Sequence, residues 1–509
     1  MKRLHTHQEA AQWLHGRVRG VLHTDSRRVQ AGDGFVAWPG GVTDGRAYVA
    51  QALQQGASAC LVEYQGVDQF DWPASVDSAI AAYDGLKAAS GPMAAAYYEQ
   101  PSQALDVIAI TGTNGKTSTA WWLAHALGQV GQRCAMVGTL GVGEVQALEY
   151  TGMTTPDPVL LQARLRDMVN AGVNACAIEA SSIGLAEHRL DGTQVRVAMF
   201  TNFTQDHLDY HGDMASYWRA KSALFDWAGL QAAVVNVDDA QGAMLAAQLK
   251  TAGQHSVWTV SCDASAASNV SALPMQHVQA CNITHGHLGL SFDVEEGADS
   301  HRLDTRLVGL YNISNVLGVL ACLRAMGHRL ADAVQACAHL PAVPGRMQAL
   351  TADGAPLVVV DYAHTPDAVA QAVQALLPLA QSRGGDVTCV LGCGGDRDAA
   401  KRPLMAAAAE QYAQHVVLTS DNPRSENPQT ILNSMLAGLQ HAQRATVIVD
   451  RAQAIAHAVA SVKPEDVVLI AGKGHEDYQE ISGIKHPFSD VQHARDALAT
   501  RAKTGRAHV

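Results

Sequence analysis

Short apolar runs alternate with Ala-rich helical segments along most of this chain. A first series of runs lies at 107–110 (VIAI), 175–180 (ACAIEA), 195–200 (VRVAMF) and 232–237 (AAVVNV). A second series lies at 357–362, 387–392, 415–420, 445–450 and 466–472. Such runs are typical of buried parallel strands, and their alternation with helices predicts two doubly wound sheets. Because ligands bind these sheets at the carboxyl ends of the strands, we expect functional residues just after the runs.

The length of the chain predicts more than one domain. At about 150 residues per domain, 509 residues suggest three. Residues 1–88 form a predicted small α/β domain, and residues 89–342 a central domain with a P-loop-type parallel sheet. Residues 255–305 are predicted to add antiparallel strands to it. The turn-rich segment 340–348 (LPAVPGRMQ) leads into a predicted Rossmann-like, doubly wound domain at 343–509. The predicted fold class is α/β.

Composition limits the partners and the compartment. Hydrophobic residues make up 48% of the chain and the formal net charge is −12, which fits a globular protein and argues against a nucleic-acid surface. The nine cysteines are scattered without a CxxC pair, so we expect core thiols in a reducing compartment. No apolar run approaches membrane-spanning length, and we expect a cytoplasmic protein that does not bind membranes.

The segment TGTNGKT (111–117) has the chemistry of a phosphate-binding loop. Gly115, Lys116 and Thr117 match the end of the pattern G-x-x-x-x-G-K-[ST], but Ile110 replaces its first glycine. A buried strand still runs into a glycine-containing loop that opens a helix, so backbone N–H groups and the helix N-terminus would face phosphates. An unliganded strand-to-helix turn is the alternative, and the context favours nucleotide binding.

Two later strand ends carry groups that could bind a metal ion. Glu179 ends one apolar run, and a second segment brings four polar side chains together, namely Asp206, His207, Asp209 and His211. Both would converge near the P-loop in a parallel sheet. Mg²⁺ suits phosphate oxygens better than zinc, although zinc stays possible, and a helix cap or surface histidine is the ordinary alternative. Lys221, judged by position alone, is a solvated helix lysine.

Taken together, the motifs resemble those of the Mur ligase family over essentially the whole chain. The matching segments, in order, are TGTNGKT, TTPD (154–157), EASS (179–182), DHLDYHGD (206–213), YNISN (311–315), PGRM (344–347), DYAHTPD (361–367), GCGGDRD (392–398), DNPR (421–424) and GKGHED (472–477). TGTNGKT alone would also suit folylpolyglutamate synthetases. The C-terminal motifs are more specific and resemble the branch that adds meso-diaminopimelate to UDP-N-acetylmuramoyl-L-alanyl-D-glutamate.

This resemblance implies an ATP-dependent acid–amino-acid ligase of peptidoglycan precursor synthesis. ATP would phosphorylate a carboxylate, and the amine of diaminopimelate would displace the phosphate from the acyl phosphate. The partners are therefore ATP, the UDP-linked muramoyl dipeptide and meso-diaminopimelate, with Mg²⁺ as the cofactor. We expect a monomer.

The resemblance also assigns residues to ATP, to the metal ion and to catalysis. The predicted ATP-binding residues are Gly112, Thr113, Asn114, Gly115, Lys116, Thr117, Ser118, Asn315, Arg346 and Asp361. The predicted metal ligands are Thr117, Glu179, His207 and Lys221, the last as a carbamate (N6-carboxylysine). Lys116, Lys221, Glu179 and His207 are the predicted catalytic residues.

The UDP-sugar peptide is expected to lie along the first two domains. The residues that match its contacts are Ser26, Gly41, Val42, Thr43, Thr154, Thr155, Ser181, Glu187 and Arg189. Two positions depart from the family pattern, with Glu187 in place of a common Gln and Ile183 in place of a common His. An acid at 187 beside an anionic ligand would be unfavourable unless an adjacent arginine offsets it.

The amino-acid site is expected in the C-terminal domain. Its predicted residues are Arg397, Asp421, Asn422, Pro423, Arg424, Gly472 and Glu476. Diaminopimelate differs from lysine by one distal carboxylate, so rejecting lysine requires a cation that lysine leaves unpaired. Arg424 offers the bidentate fork for that carboxylate, Arg397 suits the other carboxylate, and Asp421 and Glu476 suit an ammonium group. A helix cap with a solvated arginine is the structural alternative.

Two other functions compete with this interpretation. A folylpolyglutamate synthetase would share the P-loop but not DNPR with GKGHED. A P-loop switch or motor would hydrolyse nucleotide without any dependence on an amino acid.

Overall fold

The computed structural model describes residues 1–41, 43–73, 78–263, 276–286 and 289–506. The chain divides into two compact units. The first comprises Met1–Gln279, Glu295–Asp299 and Ser314–Cys337. The second comprises Ala280–Val294, Ser300–Ile313 and Ala338–Val509. The first unit holds two separate sheets, and the domain boundaries predicted at 88 and 342 remain predictions.

The N-terminal sheet of the first unit is parallel. Its strands are β1 (Lys2–Leu4), β2 (Leu22–His23), β3 (Gly34–Ala37), β4 (Ala59–Glu63) and β5 (Ile80–Tyr83), in the order β1-β5-β4-β3-β2. Helices α1 (His7–His15), α2 (Val49–Gln54) and α3 (Leu86–Tyr97) accompany it. Every residue of β3 and β4 is buried, as expected for strands covered on both faces.

The larger sheet of the first unit has the P-loop strand near its centre. Its strands are β6 (Asp106–Thr111), β7 (Cys134–Gly138), β8 (Gly141–Gly143), β9 (Ala175–Glu179), β10 (Val197–Phe200), β11 (Ala232–Asn236) and β12 (Ser256–Ser261). The order is β12-β11-β10-β6-β9-β7-β8. Its helices are α4 (Lys116–Gln129), α5 (Pro158–Asn170), α6 (Ser182–Ala186), α7 (Leu208–His211), α8 (Met214–Ser222), α9 (Ala240–Ala252), α10 (Tyr311–Ala325, mostly in this unit) and α11 (Leu330–Cys337). Strands on either side of β6 are parallel to it, so β9 and β10 end beside the P-loop.

All four strands predicted from the first series are present, and two details differ. β7, within the segment RCAMVG, was not predicted, because its short run stands directly before a turn. The antiparallel addition expected at 255–305 was wrong in its first part. β12 is parallel to β11, and the first residues of β13 (Gln276–His285) are parallel to β12. β14 (Leu290–Glu296) and β15 (Asp299–Asp304) follow.

The second unit contains a doubly wound sheet. Its strands are β16 (Gln348–Leu350), β17 (Leu357–Asp361), β18 (Val387–Cys393), β19 (His415–Ser420), β20 (Thr446–Val447) and β21 (Val467–Ala471), in the order β16-β17-β21-β18-β19-β20. All neighbours are parallel except β16. The helices are α12 (Pro366–Arg383), α13 (Lys401–Tyr412), α14 (Pro428–Leu436), α15 (Arg451–Ser461) and α16 (Asp490–Arg506), and an antiparallel hairpin joins β22 (Tyr478–Ile481) to β23 (Ile484–Pro487). The strand predicted at 445–450 is confined to 446–447.

Of the nine cysteines, all but Cys262 and Cys281 are buried. Most therefore serve as small core residues, as predicted. Among the described residues, no helix is long and apolar enough to cross a membrane.

Candidate active site

The P-loop conformation depends on two glycines. Gly112 (φ 142°) and Gly115 (φ 88°) lie in the region that favours glycine. A Cβ at Gly112 would collide with the Thr201 side chain, and one at Gly115 with the side-chain amide of Asn315. Ile110, which departs from the usual pattern, is a buried residue within β6. The loop therefore needs glycine at 112 and 115, not at 110, and the Asn315 side chain lies against Gly115.

The segment after β10 holds the P-loop in shape. Asn202 Oδ1 accepts a hydrogen bond of 2.9 Å from the Asn114 N–H, and Thr201 Oγ1 donates to the Asn114 carbonyl at 2.6 Å. Thr113 Oγ1 donates to the Thr204 carbonyl at 3.0 Å. The sequence predicted that this strand end lies near the loop, but it did not identify Thr201, Asn202 or Thr204 as its supports.

Thr117 and Glu179 meet at the start of α4. Thr117 Oγ1 donates to Glu179 Oε2 at 2.9 Å, and the Thr139 N–H donates to Glu179 Oε1 at 2.8 Å. Glu179 is buried at 1% exposure, so it is an acceptor inside the site and not a helix cap. Thr139 was missed because it follows the unpredicted strand β7. A buried carboxylate beside a hydroxyl is an oxygen donor set of the kind that Mg²⁺ accepts.

Lys221 is buried, with only 1% of its surface exposed, so the reading of a solvated helix lysine was wrong. Its Nζ donates to the Gly112 carbonyl at 2.7 Å, and Lys116 Nζ donates to the same oxygen at 2.8 Å. The Tyr217 ring lies 4.4 Å from Lys221 Nζ. Burial, together with repulsion from Lys116, lowers the pKa of Lys221 to about 6 against a weaker opposing effect of Asp206.

The two histidines after β10, His207 and His211, make different polar contacts. His207, with φ 51°, lies 3.5 Å from Asp206, and its pKa is lowered by burial and by the two lysines. His211 Nε2 lies 3.0 Å from Ser182 Oγ. In the part of the chain that the structure describes, no group of three or more His, Cys, Asp or Glu side chains is placed to hold a metal ion.

Thr155 organises the residues predicted for the sugar peptide. Its Oγ1 donates to the Glu179 carbonyl at 2.7 Å and lies 2.9 Å from Ser181 Oγ. The Thr155 carbonyl accepts a hydrogen bond of 3.0 Å from Arg189 Nη1, and Thr154 Oγ1 lies 3.1 Å from the Thr139 hydroxyl. These four predicted residues thus lie together beside Glu179.

Glu187 has a cation beside it that sequence reasoning missed. Lys87 Nζ lies 2.7 Å from Glu187 Oε2, and Tyr210 Oη donates to Glu187 Oε1 at 2.5 Å. Burial works to raise the pKa of Glu187, but Lys87 and Tyr210 outweigh it and lower the pKa. Lys87 lies in α3, a hundred residues earlier, so no local pattern could have revealed it.

Ser26, Gly41 and Thr43, which are predicted to contact the UDP-sugar peptide, lie between strands of the N-terminal sheet, and Ser26 begins a 3₁₀ helix. Ser26 is buried, and its Oγ donates to Gln51 at 3.2 Å. Gly41 is exposed, and the Thr43 carbonyl accepts a hydrogen bond of 2.9 Å from the Gly40 N–H. Val42 lies outside the described residues.

Arg346 and Asp361 lie together in the second unit. The Asp361 carboxylate accepts from the Met347 and Ala363 N–H groups at 2.7 and 2.8 Å. Burial raises its pKa, while Arg346 acts in the opposite direction. The Arg346 guanidinium stacks 4.7 Å from the Tyr362 ring.

The DNPR and GKGHED segments form one polar network at the ends of β19 and β21. Asn422 Nδ2 donates to Glu476 Oε2 at 2.8 Å. Lys473, which is fully buried, donates to Asn422 Oδ1 at 2.9 Å and to Glu476 at 3.0 Å. Asp421 lies against Gly472, where a Cβ would contact its carboxylate. Lys473 lies inside the GKGHED segment, but it was not among the predicted site residues because its burial cannot be read from the sequence.

Arg424 is held by backbone and acid contacts. It has φ 50°, its Nη1 donates to the Gly395 carbonyl at 2.6 Å, and its Nε lies 3.6 Å from Glu480. The preceding Pro423 packs its carbonyl against Gly395. Arg424 is therefore not the solvated arginine of the alternative. Arg397 is exposed and lies on the neighbouring loop after β18.

Comparisons with known proteins identify the family of the chain. Three family models match, described as Mur ligase family, catalytic domain (residues 20–109), Mur ligase middle domain (110–323) and Mur ligase, glutamate ligase domain (345–474). A protein of Acidovorax sp. (strain JS42), named UDP-N-acetylmuramoyl-L-alanyl-D-glutamate–2,6-diaminopimelate ligase, is 57% identical over 505 residues, covering 98% of each chain.

Two solved structures are also similar. One carries the same ligase name and is 34% identical, with a TM-score of 0.66 and 95% of each chain covered. The other is the Mycobacterium tuberculosis folylpolyglutamate synthase complexed with ADP and AMPPCP. It is 18% identical with a TM-score of 0.59 and covers 76% of this chain and 92% of its own, so it shows the fold alone.

Proposed function

The chain belongs to the Mur ligase family, and we propose that it uses ATP to join meso-diaminopimelate to UDP-N-acetylmuramoyl-L-alanyl-D-glutamate in peptidoglycan precursor synthesis. The observation that carries the proposal is the network of Asn422, Lys473 and Glu476 beside Arg424, which gathers an arginine fork and acids at two strand ends. A dicarboxylic diamine matches that set of groups. The names of the relatives support the same substrates.

The proposed chemistry turns a poor leaving group into a good one. ATP transfers its γ-phosphoryl group to a carboxylate oxygen of the dipeptide, which gives ADP and an acyl phosphate. The amine of diaminopimelate attacks the acyl carbon, an amide bond forms, and the C–O bond to phosphate breaks as the amine loses a proton. Because several anions must meet, fixed cations and backbone N–H groups carry the stabilisation. In this proposal Lys116 and the Gly112–Thr117 backbone bind the phosphates of ATP. Asn315, Arg346 and Asp361 are also assigned to ATP binding.

The donors beside the P-loop fit Mg²⁺. Thr117 and Glu179 supply a hydroxyl and a buried carboxylate 2.9 Å apart, and Mg²⁺ is usually held by one or two carboxylates together with phosphate oxygens. His207 and a modified Lys221 would complete the set. When bound, the ion would neutralise phosphate charge.

Lys221 suits carbamylation. With a pKa of about 6, its amine is mostly neutral at pH 7.5 and can attack CO₂. A new N–C bond forms and one proton leaves, so an amine becomes an anionic carbamate. We assign this group to the positioning of the metal ion and the acyl phosphate.

Specificity for diaminopimelate over lysine is assigned to Arg424. Arg424 is half-buried, and a guanidinium there whose carboxylate partner is missing would disfavour lysine. Arg397 is assigned to the carboxylate that both amino acids share, and Asp421 and Glu476 to an ammonium group.

The remaining assignments follow the resemblance. Ser26, Gly41, Val42, Thr43, Thr154, Thr155, Ser181, Glu187 and Arg189 are assigned to the UDP-sugar peptide. We propose a cytoplasmic monomer of three domains with boundaries near residues 88 and 342.

Phosphate release measured with each component omitted in turn tests the function. We expect release only when ATP, the UDP-sugar dipeptide and meso-diaminopimelate are all present, with lysine a poor substitute. ATP cleavage that needs neither acceptor nor amino acid would instead support a switch or motor. Release that needs a folate and glutamate would support the folylpolyglutamate synthetase alternative.

A further inference from the structure

A fully buried ion pair lies next to the strand ends that carry the proposed amino-acid site in the second unit. Arg451 and Asp490 are the first residues of α15 and α16, and neither side chain is exposed. Two hydrogen bonds of 2.7 Å run from Arg451 Nε and Nη2 to the Asp490 carboxylate. Apolar residues often replace such a pair without loss of stability, so stability alone is a weak reason for it.

The other donors of Arg451 reach two strand ends. Nη1 donates to the Ser420 carbonyl at 3.2 Å, and Nη2 donates to the Ala471 carbonyl at 3.0 Å. Ser420 is the last residue of β19 and Ala471 the last of β21, and β18 lies between these strands in the sheet. Arg451 therefore bridges the two points where the 421–424 and 472–477 segments leave the sheet.

The Arg451 guanidinium also interacts electrostatically with acids of the 421–424 and 472–477 segments. Burial alone would lower its pKa, but Asp490, Asp421 and Glu476 together raise it. Both acids outside the pair belong to the proposed amino-acid site. The hydrogen bond of 2.8 Å from Asn422 to Glu476 joins the two segments, and it needs a fixed spacing between them.

We propose that Arg451 is a positioning residue for the amino-acid substrate, which fixes the spacing of the Asp421–Arg424 and Gly472–Glu476 segments from below. The proposal rests on the proposed function, because that function makes diaminopimelate the ligand. Groups that orient a substrate must be held to within a fraction of an ångström, so the loss of this bridge should weaken binding of the amino acid selectively.

Two variants separate positioning from stability. Arg451→Met with Asp490→Leu removes both charges together, and Arg451→Lys keeps the ion pair but not the fork that reaches both carbonyls. For both we expect a KM for diaminopimelate raised at least tenfold, KM values for ATP and the UDP-sugar dipeptide within twofold of wild type, and a melting temperature close to wild type for the double variant. Arg324→Met is the matched control, because Arg324 also makes a bidentate pair, with Glu296, and donates to a backbone carbonyl. Its KM for diaminopimelate should not change.

The outcomes are distinct. A wild-type KM for diaminopimelate in the folded variants overturns the proposal, as does an equal rise in all three KM values. If the double variant does not fold, Arg451→Lys decides alone. Wild-type protein that shows no diaminopimelate-dependent phosphate release would instead refute the proposed function.

Discussion

Lys221 Nζ and Lys116 Nζ both donate to the Gly112 carbonyl oxygen, at 2.7 and 2.8 Å. Two ammonium groups on one buried oxygen repel each other, and this repulsion adds to burial in lowering the pKa of Lys221. In the proposed mechanism, the P-loop lysine thereby favours reaction of Lys221 with CO₂.

We expect Lys221→Ala to lose activity by about a thousandfold or more, because the carbamate that positions the metal ion cannot form. Short carboxylates such as formate or acetate should restore part of the activity by supplying the missing oxygens. Phosphate release with and without added carboxylate measures both effects. Lys116→Ala is the control, since it removes a cation and should not be rescued. Wild-type turnover in Lys221→Ala would remove the carbamate from the mechanism.

The buried amine of Lys221 lowers the free energy of unfolding of the protein. The unfolded chain keeps the proton of a lysine up to about pH 10.5, whereas folded Lys221 loses it near pH 6. Between these values the unfolded state binds more protons, so this contribution makes stability rise with pH. At about 1.4 kcal/mol per pKa unit, burial of the protonated amine destabilises the folded state by at most about 6 kcal/mol. This destabilisation is fully present below pH 6 and decreases as the pH rises.

Lys221→Met should therefore melt at a higher temperature than wild type, and the difference should shrink as the pH rises from 6 to 9. Thermal unfolding in buffers freed of CO₂ at pH 6, 7.5 and 9 measures this. A difference that is constant or grows with pH would contradict a buried, proton-poor amine.

The sequence predicted what is local and missed what depends on tertiary contact. TGTNGKT between a buried strand and a helix was enough to predict the loop, even with Ile110 in place of a glycine. Burial of Lys221 and of Lys473 arises from elements distant in sequence, so position alone gave a solvated lysine for the first and nothing for the second. The pair of Lys87 and Glu187 joins residues a hundred positions apart, and no spacing rule covers that separation.

Glu179→Gln tests the proposed metal site. The amide keeps the shape of the carboxylate but lacks its charge, so we expect kcat to fall about a hundredfold and the Mg²⁺ concentration for half-maximal activity to rise. Titration of activity against Mg²⁺ measures both. Glu144→Gln, at the exposed ion pair with Arg133, is a control that should leave both values unchanged. An unaltered Mg²⁺ dependence in Glu179→Gln would argue against this ligand.

Lys87 should offset the acid at 187. We expect Lys87→Ala to raise the KM for the UDP-sugar dipeptide about tenfold, because it leaves an unpaired carboxylate where an anionic ligand is proposed to bind. Glu187→Gln should have little effect, since the amide oxygen can still accept from Tyr210. The variant with both changes should return close to wild type, and the KM values of all four proteins form the test. An additive loss in the double variant would mean that Lys87 contacts the ligand itself.

Arg424→Ala should separate diaminopimelate from lysine. Loss of the bidentate fork is expected to raise the KM for diaminopimelate about a hundredfold and to leave the low activity with lysine and the KM for ATP nearly unchanged. Arg397→Ala provides the contrast, because a residue that binds the carboxylate common to both amino acids should impair both. Steady-state kinetics of both variants with each amino acid give the ratio of kcat/KM for diaminopimelate to kcat/KM for lysine. If Arg424→Ala impaired lysine and diaminopimelate equally, Arg424 would serve the shared end of the substrate, and the source of specificity would have to be sought among Asp421, Asn422 and Glu476.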